Sequence, residues 1–234
     1  MTFFKTILVL SILIITGGTS WAQDFDKGFD AYEAGDFTTA LKEWRPLADK
    51  GEAAAQYSLG FMYETGQGVV LDHKESVKWY RRAADQGHAT AQYILGVNYR
   101  TGQGVVQDYK EAVKWYRRAA DQGYAEAQFS LGLMYGDGKG VVQDYKEAVK
   151  WYRHAADQGE AAAQFRLGAV YYIGEGVIQD YNISHMWANI AAANGDETAG
   201  VFRDLVAKKM TAENIATAQS MAHKCLESSY KDCD

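Results

Sequence analysis

The chain has 234 residues, 47% of them hydrophobic and one of them proline, with a formal net charge of −6 at pH 7 and a mean hydropathy of −0.34. These values fit a folded protein with enough apolar material for a large buried core. The acidic balance speaks against nucleic acid as a partner.

Residues 1–22 differ in kind from the rest of the chain. Lys5 is a short basic start, Ile7 to Ile15 is an apolar run, and Ser20-Trp21-Ala22 offers small residues at the −3 and −1 places. The segment reads as a cleavable secretory leader, cut after Ala22. Its apolar run is too short to span a bilayer comfortably. No cysteine follows it to carry a lipid, and no later stretch is apolar enough to cross a membrane. The expectation is an exported, periplasmic or secreted chain with no stable membrane insertion once the leader is removed.

Residues 23–51 read as a shortened helical hairpin. Phe29-Asp-Ala-Tyr-Glu-Ala-Gly-Asp-Phe-Thr-Thr-Ala-Leu-Lys-Glu-Trp44 resembles a tetratricopeptide-type hairpin. From Tyr32 to Leu41 is 9 steps, whereas the matching step from Tyr63 to Val77 is 14. Its place is that of an N-terminal cap, since terminal units of a repeat array are atypical.

Residues 52–195 carry one unit four times. Gln56, Gln92, Gln128 and Gln164 lie 36 apart, and so do Gly60, Gly96, Gly132 and Gly168, and Trp79, Trp115, Trp151 and Trp187. Gly87, Gly123, Gly159 and Gly195 keep the same step. A fixed period in this range signals an array rather than a mixed domain. Ala55, Leu59, Met62 and Tyr63 fall on one face of a first helix, Ala53 to Glu64. Gly66 and Gly68 break it, and the loop Gly-Gln-Gly-Val-Val follows, with Val69 and Val70 expected to tuck between the helices. In the next unit, Asp108 caps a second helix and Glu111 follows three later, the pattern of a capping box. Asp72 with Glu75 and Asp144 with Glu147 repeat it; Asp180 keeps the cap, but Ile183 replaces the acid. Ala112, Tyr116, Ala119 and Ala120 share a face, and Gly123 stands ready to end the helix in a left-handed turn.

Helix, G-x-G turn, helix, with A-x-A-Q-[YF]-x-L-G and W-Y-x-x-A-A-x-Q-G, resembles the Sel-one-like repeat family, a cousin of the tetratricopeptide repeats. The match covers about Glu52 to Gly195. The resemblance implies an all-α fold, a right-handed α-solenoid of antiparallel helix-turn-helix repeats, and a role as a protein-binding adaptor.

Residues 196–234 close the chain with helices over Glu197 to Ala207 and Thr211 to Glu227, then a polar tail from Ser228. Cys225 and Cys233 are candidates for a disulfide, which an exported compartment permits.

Signals for chemistry are weak. There is no G-x-S-x-G and no H-E-x-x-H. His73, His88, His154, His185 and His223 share no repeat position and read as surface variants. Lys110, Lys114, Arg117 and Arg118 form a basic ridge, repeated at Lys74, Lys78, Arg81 and Arg82, and read as a solvated outer face. The Trp-Tyr pairs read as packing between units. No catalytic residue, cofactor or metal site is expected.

A recognition surface is sought instead where the four copies differ. The first-helix positions that vary form one stripe: Ala54, Ser58, Phe61 and Glu64; Thr90, Ile94, Val97 and Arg100; Glu126, Ser130, Leu133 and Gly136; Ala162, Arg166, Ala169 and Tyr172. In tetratricopeptide-like stacks the first helices line the concave groove. Phe61, Glu64, Val97, Arg100, Leu133, Arg166 and Tyr172 are the candidate protein-binding residues. The reading is a monomeric, non-enzymatic scaffold of the bacterial cell envelope that holds a peptide or protein. Peptidoglycan or another envelope polysaccharide is the alternative ligand. A β-lactam hydrolase is more remote: family members with that association resemble a pattern with a cysteine pair in each unit, and this chain has no cysteine between Ala22 and Lys224.

Overall fold

The computed structural model describes residues 19–233, with side chains from Asp24 onward. Its secondary structure among those residues is twelve α-helices: α1 (Thr19–Glu33), α2 (Phe37–Asp49), α3 (Ala53–Thr65), α4 (His73–Asp85), α5 (Ala89–Thr101), α6 (Tyr109–Asp121), α7 (Ala125–Asp137), α8 (Tyr145–Ala156), α9 (Ala161–Ile173), α10 (Tyr181–Ala193), α11 (Glu197–Ala207) and α12 (Ala212–Glu227). The fold is the all-α helical-repeat class. Residues 1–18 of the expected leader lie outside the described residues, and residues 19–22 open α1.

The chain divides into two compact units, one ending at Ala83 and one beginning at Ala84. In the first, α1, α2 and α3 pack in sequence. Phe25, Trp44, Leu47, Leu59, Met62 and Trp79 are buried together there. In the second, each helix from α5 to α10 packs on its neighbour, and α11 and α12 both pack on α10.

Local chemistry explains the helix ends. The Asp108 carboxylate accepts from the Lys110 and Glu111 backbone N–H groups at 2.8 and 3.1 Å, which satisfies two of the donors a helix start leaves orphaned. First helices end at a left-handed glycine: Gly102 has φ +80° and its N–H donates to the Asn98 carbonyl. The expected capping box is only half formed. Glu111 pairs with Lys114 instead of turning back. It has no donor to meet, because the Asp108 N–H already donates to the Tyr99 carbonyl at 2.9 Å. Asp144 to Tyr135 and Asp180 to Tyr171 repeat that bond, so each loop is tied to the helix before it.

Close packing inside each pair rests on a glycine. A Cβ on Gly60, Gly96 or Gly132 would stand 2.6 Å from the ring of Tyr80, Tyr116 or Tyr152 respectively. The fourth pair has Ala188 where the others have tyrosine, and there the Phe202 ring of α11 approaches Gly168 instead.

Three expectations need correction. Val69 packs against the core of its unit, but Val70 is 86% exposed, and Val106, Val142 and Ile178 are 87–89% exposed. The turn around the second loop glycine points one aliphatic residue inward and the next outward. The basic ridge is not simply solvated: Arg117 donates to the Tyr135 hydroxyl, and its guanidinium lies 5.7 Å from the Trp151 ring. Arg118 stacks on Trp115 at 4.5 Å. His185 is buried, not a surface variant, and His88 caps α5. Cys225 and Cys233 are joined by a disulfide and both are buried, while Tyr230 packs over Gly159.

Candidate interaction surface

The varying face of the first helices is built by default. Each of these helices spends its invariant positions on the core and on the glycine contact, so the remaining positions meet solvent or a ligand. In the first unit, Phe61 is half-buried with its ring 6.1 Å from that of Tyr32. Glu64 accepts a hydrogen bond from the Tyr80 hydroxyl at 2.6 Å. Burial first, and then the Glu64 carboxylate, push the Tyr80 phenol far above its ordinary range. Glu64 is therefore engaged internally.

In the second unit, Arg100 is exposed, and its Nε donates to the Tyr116 hydroxyl at 3.2 Å. Val97 and Leu133 are half-buried on the edges of the cores. Arg166 is exposed, and Ser130 beside Leu133 is partly so. Burial pushes the Tyr152 phenol up to about 12 against the opposing pull of Arg166. Tyr172 is half-buried, its ring 5.5 Å from Tyr181 and 5.6 Å from Phe202. The last position of the stripe, at Glu64, Arg100 and Tyr172, thus serves the aromatic partner of its own repeat region. Phe61, Val97, Leu133 and Arg166 are the candidate residues that lie outside this last position.

Two features escape sequence reasoning. One is the role of the repeated glutamines. Gln128 Nε2 donates to the Ala120 carbonyl at 3.2 Å, and its Oε1 accepts from Gln158 at 2.7 Å. Gln164 does the same with Ala156 and Asn194, and Gln92 with Ala84 and Gln122. Each joins a first helix to the carbonyl end of the helix before it. The fixed spacing marks these residues, but the pairing needs the tertiary fold. The other is a cleft in the first unit, about 180 Å³, lined by Phe29, Tyr32, Glu33, Trp44, Tyr57, Ser58 and Phe61. Of these, Phe61 alone is among the candidate binding residues; the clue to the rest is the density of aromatics between Phe29 and Phe61.

Among the described residues no group of three or more His, Cys, Asp or Glu side chains is placed to hold a metal ion. Nor is any helix there long and apolar enough to cross a membrane.

A family model described as Sel1 repeat matches residues 53–88, 89–124, 125–160 and 161–196. The chain belongs to the Sel1 repeat family. Sel1 repeats are in general modules for protein–protein interaction. Two solved structures resemble this Sel1 protein closely. One is a protective antigen present in uropathogenic Escherichia coli strains and displaying an SLR fold, 34% identical with a TM-score of 0.79. That alignment covers 89% of this chain and 46% of the antigen chain, so this chain spans less than half of that relative. The other is a Sel1 repeat protein from Oxalobacter formigenes, 33% identical with a TM-score of 0.75, covering 86% of this chain and 82% of that one. No curated protein matches the chain.

Proposed function

We infer that this Sel1 protein is a non-enzymatic scaffold of the bacterial cell envelope, binding a protein or peptide on the varying face of its first helices. One observation carries the reading. One repeat position holds Phe61, Val97, Leu133 and Ala169 and another holds Ser58, Ile94, Ser130 and Arg166; of these, Val97, Leu133 and Arg166 reach solvent at least in part, while the invariant residues around them are consumed by packing. Arginine is among the residue types enriched at binding hot spots, and Arg166 is exposed. The leader-like residues 1–22 support an exported location, and the likeness to a protective antigen is in keeping with it.

Site-specific photo-crosslinking in intact cells tests the face. A photoreactive residue at Arg100 or Arg166 is expected to give adducts of defined mass, and one at Lys114 or Lys150 none. Equal adducts from both sets of positions would refute the assignment of the face. Cell fractionation with N-terminal sequencing tests the location: recovery outside the cytoplasm, starting at Gln23, is expected, and a cytoplasmic chain starting at Met1 would overturn it.

A further inference from the structure

We propose that the aromatic cleft of the first unit receives the side chain of an arginine or lysine presented by a partner polypeptide. This deepens the interaction reading and rests on it. The cleft of about 180 Å³ is smaller than the roughly 300–1,000 Å³ of small-molecule sites, which suits one long side chain. Trp44 is its floor, 3% exposed and anchored by an indole N–H donated to the Phe25 carbonyl at 3.2 Å. Tyr32 is one wall, its hydroxyl donating to Gln67 and its ring 5.6 Å from Trp44 and 5.3 Å from Phe37. Phe29, Tyr57 and Phe61 complete the enclosure. Walls held this firmly lose little freedom when a ligand arrives.

The charge around the cleft selects the occupant. Glu33 is the single ionisable acid in the lining, and it is exposed. From residue 24 onward α1 carries Asp24, Asp26, Asp30 and Glu33 against one lysine, and that lysine, Lys27, is paired with Glu43 at 2.5 Å. The faces of the rings attract a cation, and the methylenes of a long basic side chain cover the apolar walls. A leucine would fill the walls but leave Glu33 with nothing to pair and less water around it. A glutamate would be repelled. Arginine suits the site better than lysine, because its planar guanidinium stacks on aromatic faces and is more weakly hydrated.

Titration of the exported chain with Nα-acetyl-arginine amide, followed through the Trp44 indole resonance, tests this. The neutral isostere Nα-acetyl-citrulline amide and Nα-acetyl-leucine amide serve as competitors of equal size or greater apolarity. Arginine amide is expected to bind about tenfold more tightly than citrulline amide, as one partly desolvated cation–π contact with a carboxylate allows. Glu33→Gln, an exposed change that leaves the fold intact, is expected to cut that ratio to about threefold or less. Phe61→Ala is expected to weaken both ligands. Equal or tighter binding of leucine amide, an unchanged ratio in E33Q, or no shift with any ligand would each overturn the proposal. Adducts at Arg100 and Arg166 lie on the second unit. Their persistence beside a negative titration would sink the cleft alone, and their loss would sink the interaction reading itself.

Discussion

Gln128 shows how much one repeated residue contributes. Its amide gives the Ala120 carbonyl at the end of α6 a second donor beside the Gly123 N–H, which lies at 2.9 Å, and its Oε1 accepts from Gln158. Losing these two side-chain hydrogen bonds costs about 0.5–1.5 kcal/mol each. Gln128→Ala is therefore expected to lower Tm by several degrees, at roughly 2–4 °C per kcal/mol for a chain of this size. Thermal unfolding followed by circular dichroism checks it; an unchanged Tm would mean the bond adds nothing. Gly132 is a second such residue. Its replacement by alanine would place a methyl 2.6 Å from the Tyr152 ring, an overpacking cost of about 1–3 kcal/mol.

His88 couples the fold to pH. Its Nδ1 accepts from the Ala91 N–H at 3.3 Å, so the cap needs a neutral ring nitrogen. Burial holds the imidazole below its ordinary value of 6.5. The unfolded chain then binds the proton more readily than the folded one. Stability is full above about pH 6.5 and falls as the pH drops toward the lower folded value. His88→Asn keeps a good N-cap acceptor and removes the titration. Urea midpoints at pH 7.5 and 6.0 are expected to differ more in the parent than in H88N. His185, also held low by burial, has the same sign, and Glu160, held high by burial, the opposite; both are common to the two proteins.

At the scale of the element, the loop between paired helices separates two adjacent aliphatic residues. Val141 packs against the core while Val142 is 88% exposed. Val142→Ser is expected to change stability by no more than about 0.5 kcal/mol, and Val141→Ala to cost about 1 kcal/mol. Equal effects would contradict the alternation. The end of the chain is a second element with a defined load. The disulfide closes a sequence gap of 8 residues, for which loop-closure entropy gives about 2–3 kcal/mol. It holds Tyr230 where its hydroxyl donates to Asn194 at 3.1 Å. Cys225→Ser with Cys233→Ser is expected to lower the unfolding free energy by that amount, read from urea denaturation.

At the scale of the whole molecule, no helix pair buries its apolar faces alone, so the ends of the array must be covered. Met186, Trp187 and Ile190 of α10 are fully buried in a cluster that includes Ala222 and Cys225 of α12. A chain ended at Asp196 would expose that face. It is expected to aggregate, or to unfold without a cooperative transition, in sedimentation and melting experiments. A soluble, sharply melting product would show that α11 and α12 are dispensable.

The 36-residue period, the helix pair in each unit, the aspartate caps and the glycine stops were legible in the sequence, because each is set by neighbours within a turn or two of chain. The packing role of the Trp-Tyr pairs was legible too: Trp79, Tyr80, Trp115, Tyr116 and Tyr152 are buried and Trp151 is partly so, and strict repetition of large aromatics at helical spacing has few other uses. What only the tertiary structure decided lies between residues far apart in the chain. Gln128 and Gln158 meet across 30 positions, and Arg117 reaches Trp151. The same holds for the split fate of Val141 and Val142, and for the gathering of Phe29, Trp44 and Phe61 around one cleft. Local pattern fixes which backbone forms a helix. Which side chain fills a gap, and which is left to solvent, depends on the facing helix, and that is settled only when the helices pack.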